Sequence, residues 1–384
     1  MKQRGTFQLM KSVNKSIVLN KIRMDGPISR AQIAKETSIT PPTVSSIVKE
    51  LIQEDVVVEK ALGVSQGGRK PTLLHINQDA FYVIGVDAGP STNHCILTNL
   101  AGDILCRTES VIDSNITNKQ FLNLLKKDIQ SVLEQSSQKD KVIGIGVAMH
   151  GVVSVDTGVS LVAPNLRLHN IPIKAELEKE FGYIVKVEND ARAMALGEAW
   201  FGDHGEVRSL LAVNIGNGVG GGIVIDGNLY HGAQNIAGEI GHMTVDMNGP
   251  VCQCGNRGCL QSFATGWAIA QKANKESGEE VYESALAGEK ASIHVFKEVS
   301  TIIGIGLTNL IHVINPERIV IGGGVTKAWE FLLDPLRKTI RERALTREAK
   351  ETEVVITNLG DDATLLGAVS LLLVELFSSQ IPKS

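Results

Sequence analysis

Four residues with metal-binding chemistry fall within an 18-residue span: His242, Cys252, Cys254 and Cys259. Three thiolates and one imidazole suit a closed, tetrahedral structural zinc site, because sulfur and imidazole nitrogen match Zn2+ and four protein donors leave no position open for a substrate. Such an ion would pin residues 249–261 as a loop. The plainer alternative is three reduced, buried cysteines beside a solvated histidine, and a metal or redox sensor is a third reading. With Cys95 and Cys106 the total is five. An odd number arranged this way argues against a disulfide framework and for a reducing compartment.

Glycine loops form the second constellation. A strand over 82–89 runs into a glycine turn and is followed by a strand at 95–98, a turn at Ala101-Gly102 and a strand at 103–106. The order recurs as 210–216, 220–225, a turn at Asp226-Gly227, and 228–230. The turn glycine lies 13 residues after Gly89 in one copy and 11 after Gly216 in the other. This reads as an internal duplication whose two glycine loops face each other across a cleft. A third glycine run spans 322–324. Strands alternate with helical patterns from residue 78 onward, which predicts an α/β body.

The first 76 residues have a different character. Val13, Ile17, Val18 and Ile22 predict one apolar helical stripe, and Ser29 with Gln32 has capping-box spacing ahead of inward Ile33 and Ala34. Thr40-Pro41 opens a third helix with Val44, Ile47, Val48 and Leu51 facing inward. The short link at Ser38-Ile39 suits a helix-turn-helix. Pro42, Thr43, Ser45, Ser46 and Lys49 then face outward toward a DNA major groove, with Thr40 and Arg30 near the backbone. Strands at 56–59 and 72–76 enclose Gln66-Gly-Gly-Arg-Lys70, a wing whose Arg69 and Lys70 suit a minor groove or phosphates. The alternative for this segment is a three-helix packing module without DNA.

Charge supports the division. Residues 1–76 hold 12 Lys and Arg against 6 Asp and Glu, whereas the rest holds 26 against 36. A basic head on an acidic body suggests a polyanion for the head only. No apolar run of about 20 residues and no apolar leader core occur, so a soluble, cytoplasmic protein without a membrane partner is expected.

Taken together, the duplicated loops, Val187-Glu-Asn-Asp-Ala191, Gly238-Glu-Ile-Gly-His242 and the cysteine run 252–259 resemble the ROK family (repressors, open reading frames and kinases), in particular its winged-helix, xylose-repressor-type sugar regulators. The resemblance covers essentially the whole chain. It implies an α/β fold: an N-terminal winged helix-turn-helix at 1–77, then a two-lobed, actin-like, ribonuclease-H-like duplicated body. The first lobe would span 78–190 and the second 191–384, with a C-terminal helix near 361–377 returning to the first lobe. It further implies that Asn189 and Asp190 hold distal sugar hydroxyls and that Glu239 and His242 hold ring hydroxyls. His150, Gly151 and Asn165 would close the pocket. In kinases of the family the aspartate matching Asp190 is the general base.

Two positions depart from the pattern. Gln261 stands where a glutamate usually contacts the sugar, keeping an acceptor and adding donors while losing a charge. In the first glycine loop, kinases carry Asp-x-Gly-Gly-Thr, whereas this chain has Asp87-Ala-Gly-Pro-Ser91. Pro90 has no N–H for a phosphate and fixes φ, so kinase activity is not expected and Asp190 would be a vestigial base. The combined expectation is a dimeric repressor of carbohydrate-utilisation genes, bound to operator DNA and modulated by xylose or a glucose-type sugar. The alternative is a glucokinase-like sugar kinase with an appended DNA-binding head. Residues 302–314 read equally as dimer interface or core.

Overall fold

A computed structural model describes residues 13–62, 72–205 and 207–377. The head consists of helices Val13–Asp25, Arg30–Thr37 and Pro41–Gln53 and an antiparallel sheet. In that sheet Thr72–Ile76 lies between Val57–Leu62 and the two-residue strand Ile28–Ser29. Ser29 caps the second helix, its Oγ accepting from the Gln32 N–H at 3.2 Å. The reciprocal half of a capping box is absent, because the Gln32 side chain donates to Glu36 instead. Ser38, at φ 59°, ends that helix and sets up the turn into the third. Val44, Ile47, Val48 and Leu51 are buried as expected.

The first helix departs from expectation. Val13 and Ile17 are 45% and 38% exposed, while Lys15, Ser16, Val18, Leu19 and Ile22 face inward. Spacings of three and four residues from Lys15 through Leu19 to Ile22 make the true stripe. Lys15 is tolerated there because its ammonium reaches Glu54 at 2.8 Å, with its aliphatic stem buried on the way.

Two five-stranded sheets make the body, and their topology is the same. In the first, the order is Ile104–Val111, Thr92–Asn99, Tyr82–Ala88, Val142–Met149, Ile184–Asn189. In the second it is Asn228–Leu229, Val219–Ile225, Ser209–Ile215, Arg318–Gly322, Glu353–Ile356. Each begins with two antiparallel pairings and continues with two parallel ones. The duplication read from the glycine spacing is therefore a duplication of the whole sheet. Residues 302–314 lie in helix Lys290–Ile314, where Ile303, Leu307, Leu310 and Ile311 join the core beneath the second sheet, so that segment is chiefly core.

Helices Asp190–Phe201 and Ala363–Phe377 run between the sheets and pack closely on each other. The C-terminal helix also lies on Tyr82–Ala88 and Val142–Met149. Glycines make both contacts possible: a Cβ at Gly146 would overlap the Ala368 carbonyl, and one at Gly367 the Ala193 carbonyl. Val369, Leu373 and Phe377 of the same helix share one apolar cluster with Val18, Leu19 and Ile22 of the head. Among the described residues, no helix is long and apolar enough to cross a membrane.

Backbone overlap at Gly367 cannot be relieved by rotating a side chain. Gly367→Ala is expected to lower stability by about 1–3 kcal/mol or more, seen as a fall in Tm, whereas Gly266→Ala, with nothing within 4 Å of the added methyl, should leave Tm nearly unchanged.

Candidate functional site

Strand ends build the cleft. Tyr82–Ala88, Val142–Met149 and Ile184–Asn189 run parallel and finish at Asp87, His150 and Asn189, while Ser209–Ile215 brings Asn214 and Gly216 from the second sheet. Their carboxyl ends leave a crevice of about 500 Å³, the usual location for a ligand in open α/β sheets. His150, Gly151, Asn165, Asn189, Asp190, Glu239, His242 and Gln261 all line it. The eight residues assigned by resemblance thus converge on one space. Sequence reasoning missed Gln253, hidden between two ligand cysteines of the run 252–259, and Thr364, which stands in no recognisable motif; both also line it.

Asn189 is both helix cap and cleft residue. Its Oδ1 accepts from the Arg192 N–H at 3.1 Å, satisfying a free amide at the start of helix Asp190–Phe201. Its Nδ2 donates to the Gly151 carbonyl at 3.0 Å. Asp190 Oδ1 accepts from Ala191 N–H at 2.9 Å. Burial raises the Asp190 carboxyl above its ordinary value, with nearby His150 pulling it down. Asp87 is pushed up to about 7 by burial and by the charge of Asp190. His150 Nδ1 donates to the Ala88 carbonyl at 3.0 Å, and its Nε2 is buried without a hydrogen-bond partner among the described residues.

A network beneath the cleft escaped the sequence reading, which took Glu188 only as part of the run 187–191. The Glu188 carboxylate accepts from Arg192 Nε, from the Asn189 N–H and from His231 Nε2, all at 2.7 Å. Burial pushes this carboxyl up, but the His231 hydrogen bond and the Arg192 charge outweigh it and hold it below its ordinary value. Arg192 Nη1 also donates to the Asn235 carbonyl at 2.7 Å. The signal in sequence was only a Glu–Arg spacing of four, and it straddles the end of strand Ile184–Asn189 and the start of helix Asp190–Phe201, so no helix-face pattern marked it.

His242, Cys252, Cys254 and Cys259 present ligand atoms all within 4.8 Å of one another. The His242 Nδ1 to Cys252 Sγ and Cys254 Sγ to Cys259 Sγ distances are both 3.8 Å. Tetrahedral Zn–S bonds of about 2.3 Å require sulfur separations of about 3.8 Å, so the donors fit such an ion. Burial opposes ionisation of Cys252, but donors from Cys254, Ser262 and Gln261 bring its thiol down to about 6. Gln261 Nε2 donates to Cys252 Sγ at 3.3 Å, a bond that a glutamate could not make. The donor gained at this position therefore serves the sulfur cluster while the side chain still borders the cleft.

At the first glycine turn the Gly89 N–H is spent on the Thr92 carbonyl at 3.0 Å, and Pro90 has none. No donor of these two residues points at a phosphate. In the second loop, Gly218 stays open to the cleft.

On the head, Pro42, Ser45, Ser46 and Lys49 are exposed and Thr43 is half-buried on the outer face of Pro41–Gln53. Thr40 shares a hydroxyl hydrogen bond with Thr43 at 2.8 Å. Arg30 differs from the others: it forms an ion pair with Glu59 at 2.6 Å, linking the second helix to the wing strand. Arg69 and Lys70 lie outside the described residues.

Known proteins resemble this one along its whole length. The ROK family model matches residues 83–375 and a winged helix-turn-helix DNA-binding model matches residues 18–58. The xylose repressor of Caldicellulosiruptor bescii is 34% identical, over 97% of this chain and 98% of its own. The glucokinase of Halalkalibacterium halodurans is 36% identical, but over 75% of this chain and 94% of its own. A solved ROK family transcriptional regulator, a homolog of the Escherichia coli MLC protein, superposes with a TM-score of 0.83 at 28% identity, covering 96% of this chain and 99% of that one. With a duplicated two-lobed body, a cleft at the strand ends and a winged helix-turn-helix in front of them, the chain belongs to the ROK family.

Proposed function

We propose that this protein is a sugar-responsive transcriptional repressor of carbohydrate-utilisation genes. The observation that carries this reading is the continuity between cleft and head: helix Asp190–Phe201 starts at the sugar-type contacts, and its last turn lies under the first helix of the head. There the Arg23 guanidinium covers the Trp200 ring at 4.1 Å. Ligand-binding and DNA-binding chemistry are thus connected by one rigid element. The three units 1–77, 78–190 and 191–384 would act as head, first lobe and second lobe, with the C-terminal helix bridging them.

In this reading Pro42, Thr43, Ser45, Ser46 and Lys49 enter a major groove, Thr40 and Arg30 stand at its edge, and Arg69 and Lys70 contact the neighbouring backbone or minor groove. Two heads are needed for two half-sites, so the active form is a dimer. Asn189, Asp190, Glu239, His242 and the His150 Nε2 hold sugar hydroxyls, with Gly151, Asn165 and Gln261 bordering them. No lysine or arginine is among the described residues lining the cleft, which favours an uncharged sugar over a sugar phosphate. Full-length similarity to a xylose repressor favours xylose, with glucose-type sugars next. The protein functions in the cytoplasm, where thiols stay reduced.

Zinc is the metal suited to His242, Cys252, Cys254 and Cys259. Its contribution would be rigidity, holding residues 249–261 against the cleft. The reading excludes kinase turnover on the state of the first glycine turn, where neither Gly89 nor Pro90 offers a donor. Asp190 would then serve as a hydroxyl acceptor.

Four measurements test these statements. Protein prepared without chelator should contain about one zinc per chain, and stripping it should lower Tm and weaken sugar binding together. Fluorescence anisotropy across salt concentrations should show Lys49→Ala weakening operator binding and reducing the salt slope by about 1. Xylose should shift the wild-type operator affinity, and a protein indifferent to every sugar tested would overturn the proposal. A coupled assay for ADP release with pentoses and hexoses should show no sugar-dependent turnover; turnover that disappears in Asp190→Asn would establish the kinase instead.

A further inference from the structure

We infer that Glu188 is a positioning residue for the cleft, a single buried carboxylate that sets both halves of the ligand grip, with His231 as its releasable arm. One half is the strand end itself: Glu188 accepts from the Asn189 N–H at 2.7 Å and orients Arg192, whose own N–H is capped by Asn189. The other half is the segment 230–242 of the second lobe, which ends in Glu239 and His242. Glu188 holds this segment through His231 Nε2 at 2.7 Å, and Arg192 holds it through the Asn235 carbonyl at 2.7 Å. The segment closes on itself where Ala237 N–H donates to the His231 carbonyl at 3.0 Å, and Gly238 is then tied to Gly221 at 2.8 Å. The position of Glu239 is thereby referred, through few bonds, to the carboxylate beneath Asn189.

The two arms differ in strength. Glu188 and Arg192 are 1% and 3% exposed, so removing either leaves a buried, uncompensated charge and endangers the fold. His231 is 29% exposed on its side chain and lies on a segment whose residues 233, 234, 236 and 239 are exposed. Water can replace its bond to Glu188 when the lobes part. Closing the cleft remakes a charge-assisted hydrogen bond that aligns Glu239 with Asn189 and Asp190. The clasp stands on its own geometry, while its role in affinity rests on reading the cleft as a sugar site.

His231 is the residue to vary, in the full-length zinc-loaded protein. His231→Gln keeps a side-chain N–H for Glu188, and His231→Leu keeps the bulk without it. In ligand-free protein, hydrogen–deuterium exchange of amides 232–242 is expected to quicken about tenfold in His231→Leu and to stay near wild type in His231→Gln. Calorimetry with D-xylose and D-glucose is expected to show affinity reduced about tenfold in His231→Leu and restored in His231→Gln, with zinc content unchanged. Unaltered exchange in His231→Leu overturns the clasp. Faster exchange with unaltered sugar affinity overturns the positioning role. Faster exchange in a protein whose wild type takes neither sugar leaves the clasp in place and removes the sugar reading.

Discussion

The structure depends on one close contact, that between helices Asp190–Phe201 and Ala363–Phe377. Gly197 and Gly367 bring the two backbones together, since a Cβ on either would meet main-chain atoms of the other helix. Close approach lets Ala368 settle on Gly146 of the first sheet while Ala191 and Ala195 cover Gly220 and Gly222 of the second. Small residues at all these points let two sheets share one pair of helices, with little room left to slide. Relative motion of the lobes then has to come from the segments around the cleft.

That helix pair also receives the head. Asn20 Nδ2 donates to the Phe377 carbonyl at 2.6 Å, capping the end of the C-terminal helix. Arg23 spreads over Trp200, and Phe377 meets the same indole edge-on at 5.6 Å. Burial of the guanidinium lowers its pKa, an expense offset here by the aromatic face rather than by a carboxylate. Ten residues separate Trp200 at this joint from Asp190, about 15 Å of helix at 1.5 Å per residue. A sugar can change DNA affinity through it only by binding two arrangements of head and lobes unequally. The joint is the place where those arrangements would differ.

How much of this the sequence disclosed follows from how local each feature is. The helix-turn-helix, the cysteine cluster and the duplicated sheets were legible because their signals are short spacings: inward positions on one helix, ligands in one loop, glycines at repeated turns. The first helix was misread at Val13 and Ile17 because hydrophobicity alone marks a core face, whereas a buried Lys15 needs Glu54, 39 residues away, to be recognised. Glu188 was hidden for the same reason. Its partners Arg192 and His231 belong to different structural segments, and only the assembled fold shows that one carboxylate serves both. Gln261 looked like a change in sugar contact, and its bond to Cys252 shows that the altered position answers also to the sulfur cluster.

Asp190 and Pro90 pull the functional reading in opposite directions, and their different duties reconcile them. A general base for phosphoryl transfer and an acceptor for a bound hydroxyl need the same carboxylate in the same place. A repressor that grips a sugar without phosphorylating it would therefore keep Asp190 as readily as a kinase does. Phosphate binding is separable, because it depends on backbone N–H groups that serve nothing else in the cleft. Gly89 has turned its N–H inward to Thr92 and Pro90 has discarded its own, yet the turn still connects Tyr82–Ala88 to Thr92–Asn99 in register. A binding protein derived from this architecture can thus give up the phosphate cradle without disturbing the sheet, because the N–H groups of the turn and the pairing of its strands are separate.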